Sequence, residues 1–165
     1  MSKVAKAIIS GLGTGYLRPA PGTWGSAAAC AVFLAAAYFS AGDAVVVAAV
    51  LAGVLLASSA GCVAFGGQAE QFYKKKDPSY CTIDEWAGQS LTLLALPLGT
   101  GWRDFLLVAA VGFVLFRIFD IVKPPPARQL EKLPLGWGVL LDDIFAGIYA
   151  NIIAQVILRS GFHLS

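Results

Sequence analysis

Charge is scarce in this chain. Only 13% of its 165 residues are Asp, Glu, Lys or Arg, against about 25% in an ordinary soluble domain. With 58% hydrophobic residues and a mean hydropathy of +0.72, the composition is that of an integral membrane protein rather than a soluble helical one. Histidine is nearly missing: the single His163 lies almost at the C-terminus, which disfavours a histidine nucleophile. The three cysteines, Cys30, Cys62 and Cys81, are widely spaced and form no C-x-x-C. That pattern points to a reduced compartment, and without a Cys/His ligand set zinc is not expected. A net charge of +2, with no basic stripe interleaved with aromatics, excludes nucleic acid as a partner. Gly11-Leu-Gly-Thr-Gly15 is not a phosphate-binding loop of the G-x-x-x-x-G-K-[ST] kind. Lys3 and Lys6 precede too short an apolar run for a cleaved signal peptide.

What the chain has in quantity is apolar sequence, in five stretches: about 26–39, 44–65, 83–98, 105–122 and 139–158. Alanine and leucine dominate them, and a membrane segment must satisfy its own backbone hydrogen bonds, so the predicted fold is all-α. The expected architecture is one domain over residues 1–165, a bundle of about five apolar helices. The first and third stretches are short for a crossing of about 20 residues and read as tilted, partly immersed or re-entrant. With the N-terminus in the cytoplasm, ten of the 12 Lys and Arg fall on the cytoplasmic side, including Lys74, Lys75 and Lys76; only Arg103 and Arg159 fall outside. This is a positive-inside pattern, and a five-pass chain then ends outside.

Against that background two acid pairs stand out, Asp84-Glu85-Trp-Ala-Gly88 and Asp142-Asp143-Ile-Phe-Ala-Gly147. A single Asp at the centre of a membrane helix costs roughly 2.5–3.5 kcal/mol, so acids beside lipid point to a function. In the topology above both pairs lie at cytoplasmic helix ends, within reach of one pocket. Four gathered carboxylates repel unless protonated or metal-bound. Asp84, Glu85, Asp142 and Asp143 are therefore candidate Mg²⁺ ligands, hard oxygens that suit this ion. The competing reading has one acid of each pair capping its helix.

Arg117, Asp120 and Lys123 are spaced three apart, on one helical face. Either they are a salt-bridged helix end, or Arg117 and Lys123 grip phosphate oxygens while Asp120 orients them or joins the metal site. Pro124-Pro125-Pro126 stiffens the exit. Beyond it, Arg128 and Lys132 either meet anionic headgroups or set topology. Pro19 to Ser26 is read as an irregular loop before the first helix, where Thr23 and Ser26 cap the helix or its free N–H groups bind an anion.

Taken in order, Pro21-Gly-Thr-Trp-Gly-Ser26, Asp84-Glu-Trp-Ala-Gly88, Phe116-Arg-Ile-Phe-Asp120 with Lys123-Pro-Pro-Pro126, and Gly136-Trp-Gly138 leading to Asp142-Asp-Ile-Phe-Ala-Gly147 resemble the phosphatidylglycerophosphatase A family. The resemblance covers about Ser10 to Asn151. One departure is Leu135, where the family often has another glycine. The resemblance implies a Mg²⁺-dependent, multi-pass lipid phosphatase of the bacterial inner membrane, with its active site facing the cytoplasm. It would hydrolyse phosphatidylglycerophosphate to phosphatidylglycerol and phosphate, in phospholipid biosynthesis. Catalytic work would fall to Asp84, Glu85, Asp120, Asp142 and Asp143. Substrate would be held by Arg117, Lys123, Arg128 and Thr23. The alternative is a membrane cation or proton transporter using the same carboxylates, which predicts charges near mid-span.

Overall fold

The computed structural model describes residues 1–75 and 78–160; Lys76 and His163, noted above, lie outside them. Among the described residues there are seven α-helices and no strand: α1 (Lys3–Ile9), α2 (Pro21–Phe39), α3 (Ala44–Tyr73), α4 (Ile83–Leu93), α5 (Trp102–Val122), α6 (Ala127–Leu130) and α7 (Trp137–Ser160). Four of them, α2, α3, α5 and α7, are long and apolar enough to cross a membrane. Only 28% of the most apolar stretch of α3 is buried within the protein. Its remaining apolar surface faces outward, as lipid-facing helices require.

The five apolar stretches are all present, with shifted bounds. The helix α2 begins at Pro21, so the segment expected to be a loop is helical from its proline onward. Proline suits the first helical position, where its missing N–H costs nothing. Neither expected cap forms. The N-cap is Ala20, with no side-chain cap, and Ser26 Oγ donates to Gly22 O (3.0 Å) inside the helix. The helix α3 runs 30 residues to Tyr73, about 45 Å at 1.5 Å per residue, and overshoots the hydrocarbon. Asp142 and Asp143 lie more than a turn inside α7 and cap nothing.

The third stretch differs most. The helix α4 has 11 residues, about 16 Å, half of a bilayer's hydrocarbon thickness. It carries Asp84, Glu85, Gln89, Ser90 and Thr92, which cannot face lipid, and it is enclosed by α2, α3, α5 and α7. The crossing is completed by a non-helical segment that reaches Gly99, close to Gly42 in the α2–α3 turn. The freed helix-end carbonyls are met by α7. Asn151 Nδ2 donates to Leu91 O, Thr92 O and Leu94 O (3.3, 2.9 and 2.8 Å), and Gln155 Nε2 to Ala95 O (2.8 Å). Irregular backbone at membrane depth is tolerated only with such internal partners.

Two ends result. One gathers α1, whose Ile9 O accepts from Thr82 N (3.0 Å), with the starts of α2, α4 and α7 and the end of α5. The other gathers the α2–α3 turn, the start of α5 and the end of α7. The chain crosses between them five times.

Candidate functional site

The two acid pairs meet because α4 and α7 run in the same direction and cross at glycines. A Cβ on Gly88 would lie 2.6 Å from Asp143 O, and one on Gly147 would lie 2.5 Å from Gly88 O. Backbone therefore touches backbone, the close approach that glycine permits. Asp84 stands four residues before Gly88 and Asp143 four before Gly147, so each acid lies one turn above its glycine on the contact face. Asp84 and Asp143 are 3% and 4% exposed. With half-buried Glu85, they bring one carboxylate oxygen each within 4.8 Å of one another. Asp84 Oδ1 and Asp143 Oδ2 are buried and accept no hydrogen bond.

The fourth acid turns to a different partner. Asp142 Oδ2 accepts from Lys123 Nζ (2.5 Å), and its Oδ1 accepts from Asp143 N (3.1 Å). Lys123 is the C-cap of α5, in left-handed conformation, and also faces Glu131 Oε2 at 3.4 Å. Burial lowers the Lys123 pKa, but the hydrogen bond to Asp142 and the charges of Asp142, Glu131 and Asp143 more than offset it, leaving the ammonium above its usual range. Asp142 thus anchors the loop after α5 to α7.

A third helix closes the site. The first turn of α2 packs so tightly here that a Cβ on Gly22 would lie 2.2 Å from Glu85 Oε1 and 3.3 Å from Arg117 Nη1. The N-terminus of a 19-residue helix, with its partial positive charge, therefore borders Glu85 and Arg117. Thr23 sits half-buried in this turn, its own N–H donating to Ala20 O (3.0 Å). Arg117 pairs with Asp120 at 2.7 Å, and the Asp120 carboxyl lies beside Asp143.

Of the residues singled out in the sequence, Asp84, Glu85, Asp143, Asp120, Arg117 and Thr23 come together at one end of the bundle. Lys123 and Asp142 border them as a pair. Arg128 stands exposed on α6, outside the group of carboxylates that meet. The loop that carries it is tied down by Tyr149, whose hydroxyl donates to Pro125 O (2.6 Å), and by Glu70, whose Oε1 accepts from Gly136 N (3.3 Å). Leu135, the departure from the family pattern, has a φ of +61°, a conformation that glycine adopts freely and leucine at a cost. Gly88 and Gly147 are the small residues by which the sequence already allows a close helix approach; sequence reasoning missed the part of Gly22 and Asn151. The signal for Asn151 was available, a lone amide inside an apolar helix.

Three carboxylates of this kind, two almost sealed from solvent and each of those with one oxygen lacking a partner, next to a guanidinium and a helix N-terminus, suit a cation and an anionic group held side by side. The chain matches the family described as phosphatidylglycerophosphatase A over residues 7–158. A Bacteroides thetaiotaomicron protein, provisionally named a phosphatidylinositol-3-phosphatase, is 37% identical over 89% of both chains. A phosphatidylglycerophosphatase A of Haemophilus influenzae is 34% identical over 89% of this chain and 84% of its own. A phosphatidylglycerophosphatase A of Escherichia coli is 42% identical over 48% of this chain and 42% of its own. No solved structure matches.

Proposed function

Because the chain belongs to the phosphatidylglycerophosphatase A family, we propose that it removes the terminal phosphate of phosphatidylglycerophosphate, using Mg²⁺, at the cytoplasmic surface of a bacterial inner membrane. The observation that carries this reading is the meeting of Asp84, Glu85 and Asp143 beside Arg117 and the start of α2. Lys and Arg crowd the same end of the bundle, which supports the cytoplasmic orientation. A lipid phosphomonoester presents its anionic headgroup at that depth while its chains stay in the bilayer.

Asp84, Glu85 and Asp143 fit Mg²⁺: they are hard oxygen donors, close together, and two have buried oxygens without partners. When bound, the ion supplies positive charge against the charge that spreads over the phosphoryl oxygens. Arg117 and the Gly22 N–H at the start of α2 hold the remaining phosphoryl oxygens, and Asp120 holds Arg117 in place. Lys123, neutralising Asp142, removes one negative charge from the site's edge. A carboxylate of this cluster that does not hold the ion accepts a proton from the attacking water. The rival route, attack by a carboxylate, forms an aspartyl phosphate; covalent phosphate trapped by rapid quench would replace the direct-water route.

The test is phosphate release from phosphatidylglycerophosphate by purified protein in detergent, with Mg²⁺ or with EDTA. Release with Mg²⁺ and its loss with EDTA are expected, and Asp143→Asn is expected to abolish turnover in a folded protein. A folded sample that releases no phosphate with Mg²⁺ would overturn the enzyme reading. Running phosphatidylinositol 3-phosphate in parallel separates the two headgroups for which the relatives are named. The transporter alternative puts charges at mid-span, whereas these sit at one end of the helices.

A further inference from the structure

The seam between α2 and α5 is antiparallel and changes character along its length. At the site end Gly22 packs against Arg117 and Glu85. At the far end Tyr38 meets Trp102 edge to face, ring centroids 5.8 Å apart. Between them the helices part into an apolar groove of 340 Å³. Ala27 and Phe113 line it towards the site, Leu34 and Leu106 towards the far end, and Ala31 and Ala110 between. Both alanines are exposed on the outer surface, so the groove opens sideways to lipid. Phe113 lies one helical turn from Arg117, and Ala27 one turn from Thr23. From Gly22 to Leu34 the groove and its approach descend about 18 Å, close to the roughly 15 Å of one leaflet's hydrocarbon.

We infer that this groove receives one acyl chain of the lipid whose phosphate sits at Arg117 and the start of α2, so that the seam presents the headgroup to the carboxylates. The inference rests on the reading of the site as a lipid phosphatase centre. The occupant follows from continuity: a chain attached to a headgroup at Arg117 has its path into the bilayer along this seam. The larger groove, 550 Å³ between α1, α3 and Ile83 and Trp86 of α4, lacks that continuity. It lies on another face of α4, lined there by Ile83 and Trp86 and by neither Arg117 nor the start of α2. Lipid tails are as apolar as the groove, so little binding energy is gained by exchanging one for the other. What the groove contributes is orientation of the reacting end, and chain length becomes a determinant of specificity.

The experiment compares dioleoyl and dihexanoyl phosphatidylglycerophosphate as substrates for wild type, Ala31→Phe, Ala110→Phe and, in the larger groove, Ala60→Phe. Filling the seam should raise KM for the dioleoyl lipid about tenfold and leave kcat/KM for the dihexanoyl lipid within about twofold. Ala60→Phe should change neither. Equal effects on both lipids, no effect on either, or an effect confined to Ala60→Phe would overturn the inference. If wild type hydrolyses neither lipid, the phosphatase reading fails, and the groove is judged by photolabelling with phosphatidylglycerol carrying a diazirine in its acyl chain. Label on 27–34 or 106–113 sustains the groove, and label confined to α3 overturns it. An intermolecular disulfide formed by Ala31→Cys in liposomes would put a second copy in the seam and overturn it also.

Discussion

Gly22 illustrates how much of this site depends on an absent side chain. Gly22→Ala would press a methyl against the end of Glu85, which is flexible and swings aside, so the fold should survive. Because misplacing a reacting group by about 1 Å can cost 100-fold, kcat should fall roughly 10- to 100-fold while the melting temperature in detergent stays near wild type. A normal kcat would show that Glu85 tolerates displacement. Lys123 makes the opposite kind of contribution, through charge. Lys123→Met leaves the nearly buried Asp142 without its cation and should cost about 1.5–3 kcal/mol. Since the folded-state pKa of Lys123 lies above the ordinary value of about 10.4, its stabilisation is full below about pH 10 and is lost as pH rises through the folded value. Thermal melts should therefore show an alkaline loss of stability that is weaker in Lys123→Met. An identical alkaline profile in both proteins would argue against the pair. The candidate acids were legible at this scale, because carboxylates in so apolar a chain are conspicuous. Which acid faces which partner was not, since the side-by-side Asp142 and Asp143 look alike in sequence and differ only by the 100° that separates neighbours on a helix.

Among the elements, α4 is held by α7 rather than by its own length. Asn151→Leu removes the donor shared by three carbonyls at the end of α4 and leaves them in an apolar surrounding. The expected loss is about 1–3 kcal/mol, read as a lower melting temperature in detergent. An unchanged melt would mean that other donors reach those carbonyls. Helix existence was visible in the apolar runs, and helix bounds were not. Pro21 looked like a breaker and is a starter, because a proline's effect depends on where in the first turn it falls. The early end of α4 was hidden as well, since Leu94 to Leu98 is as apolar as any helix. The distant amides Asn151 and Gln155 help to make a break there tolerable.

For the whole molecule, the two-ended arrangement predicts a labelling pattern. Single cysteines replacing Lys132 and Arg103, each in a protein whose native cysteines remain buried, should react with a membrane-impermeant maleimide from opposite sides of a sealed vesicle. Reaction from the same side would break the five-crossing topology and the common end for the acids. Charge bias foreshadowed this arrangement, because topology follows Lys and Arg. It also put both acid pairs at one end, within reach of one pocket; which of the acids meet was not legible, since that depends on which helix pairs approach most closely.

That approach decides how the site keeps its register. Gly88 and Gly147 interlock as teeth do, carbonyl against α-carbon, and a sliding step of one residue would rotate one carboxylate about 100° out of line with the other. Asp84 and Asp143 therefore keep their places, because the helices beneath them are keyed and have nowhere to slide. The cation proposed for this site would meet carboxylates already in register and would ask no rearrangement of the helices that carry them.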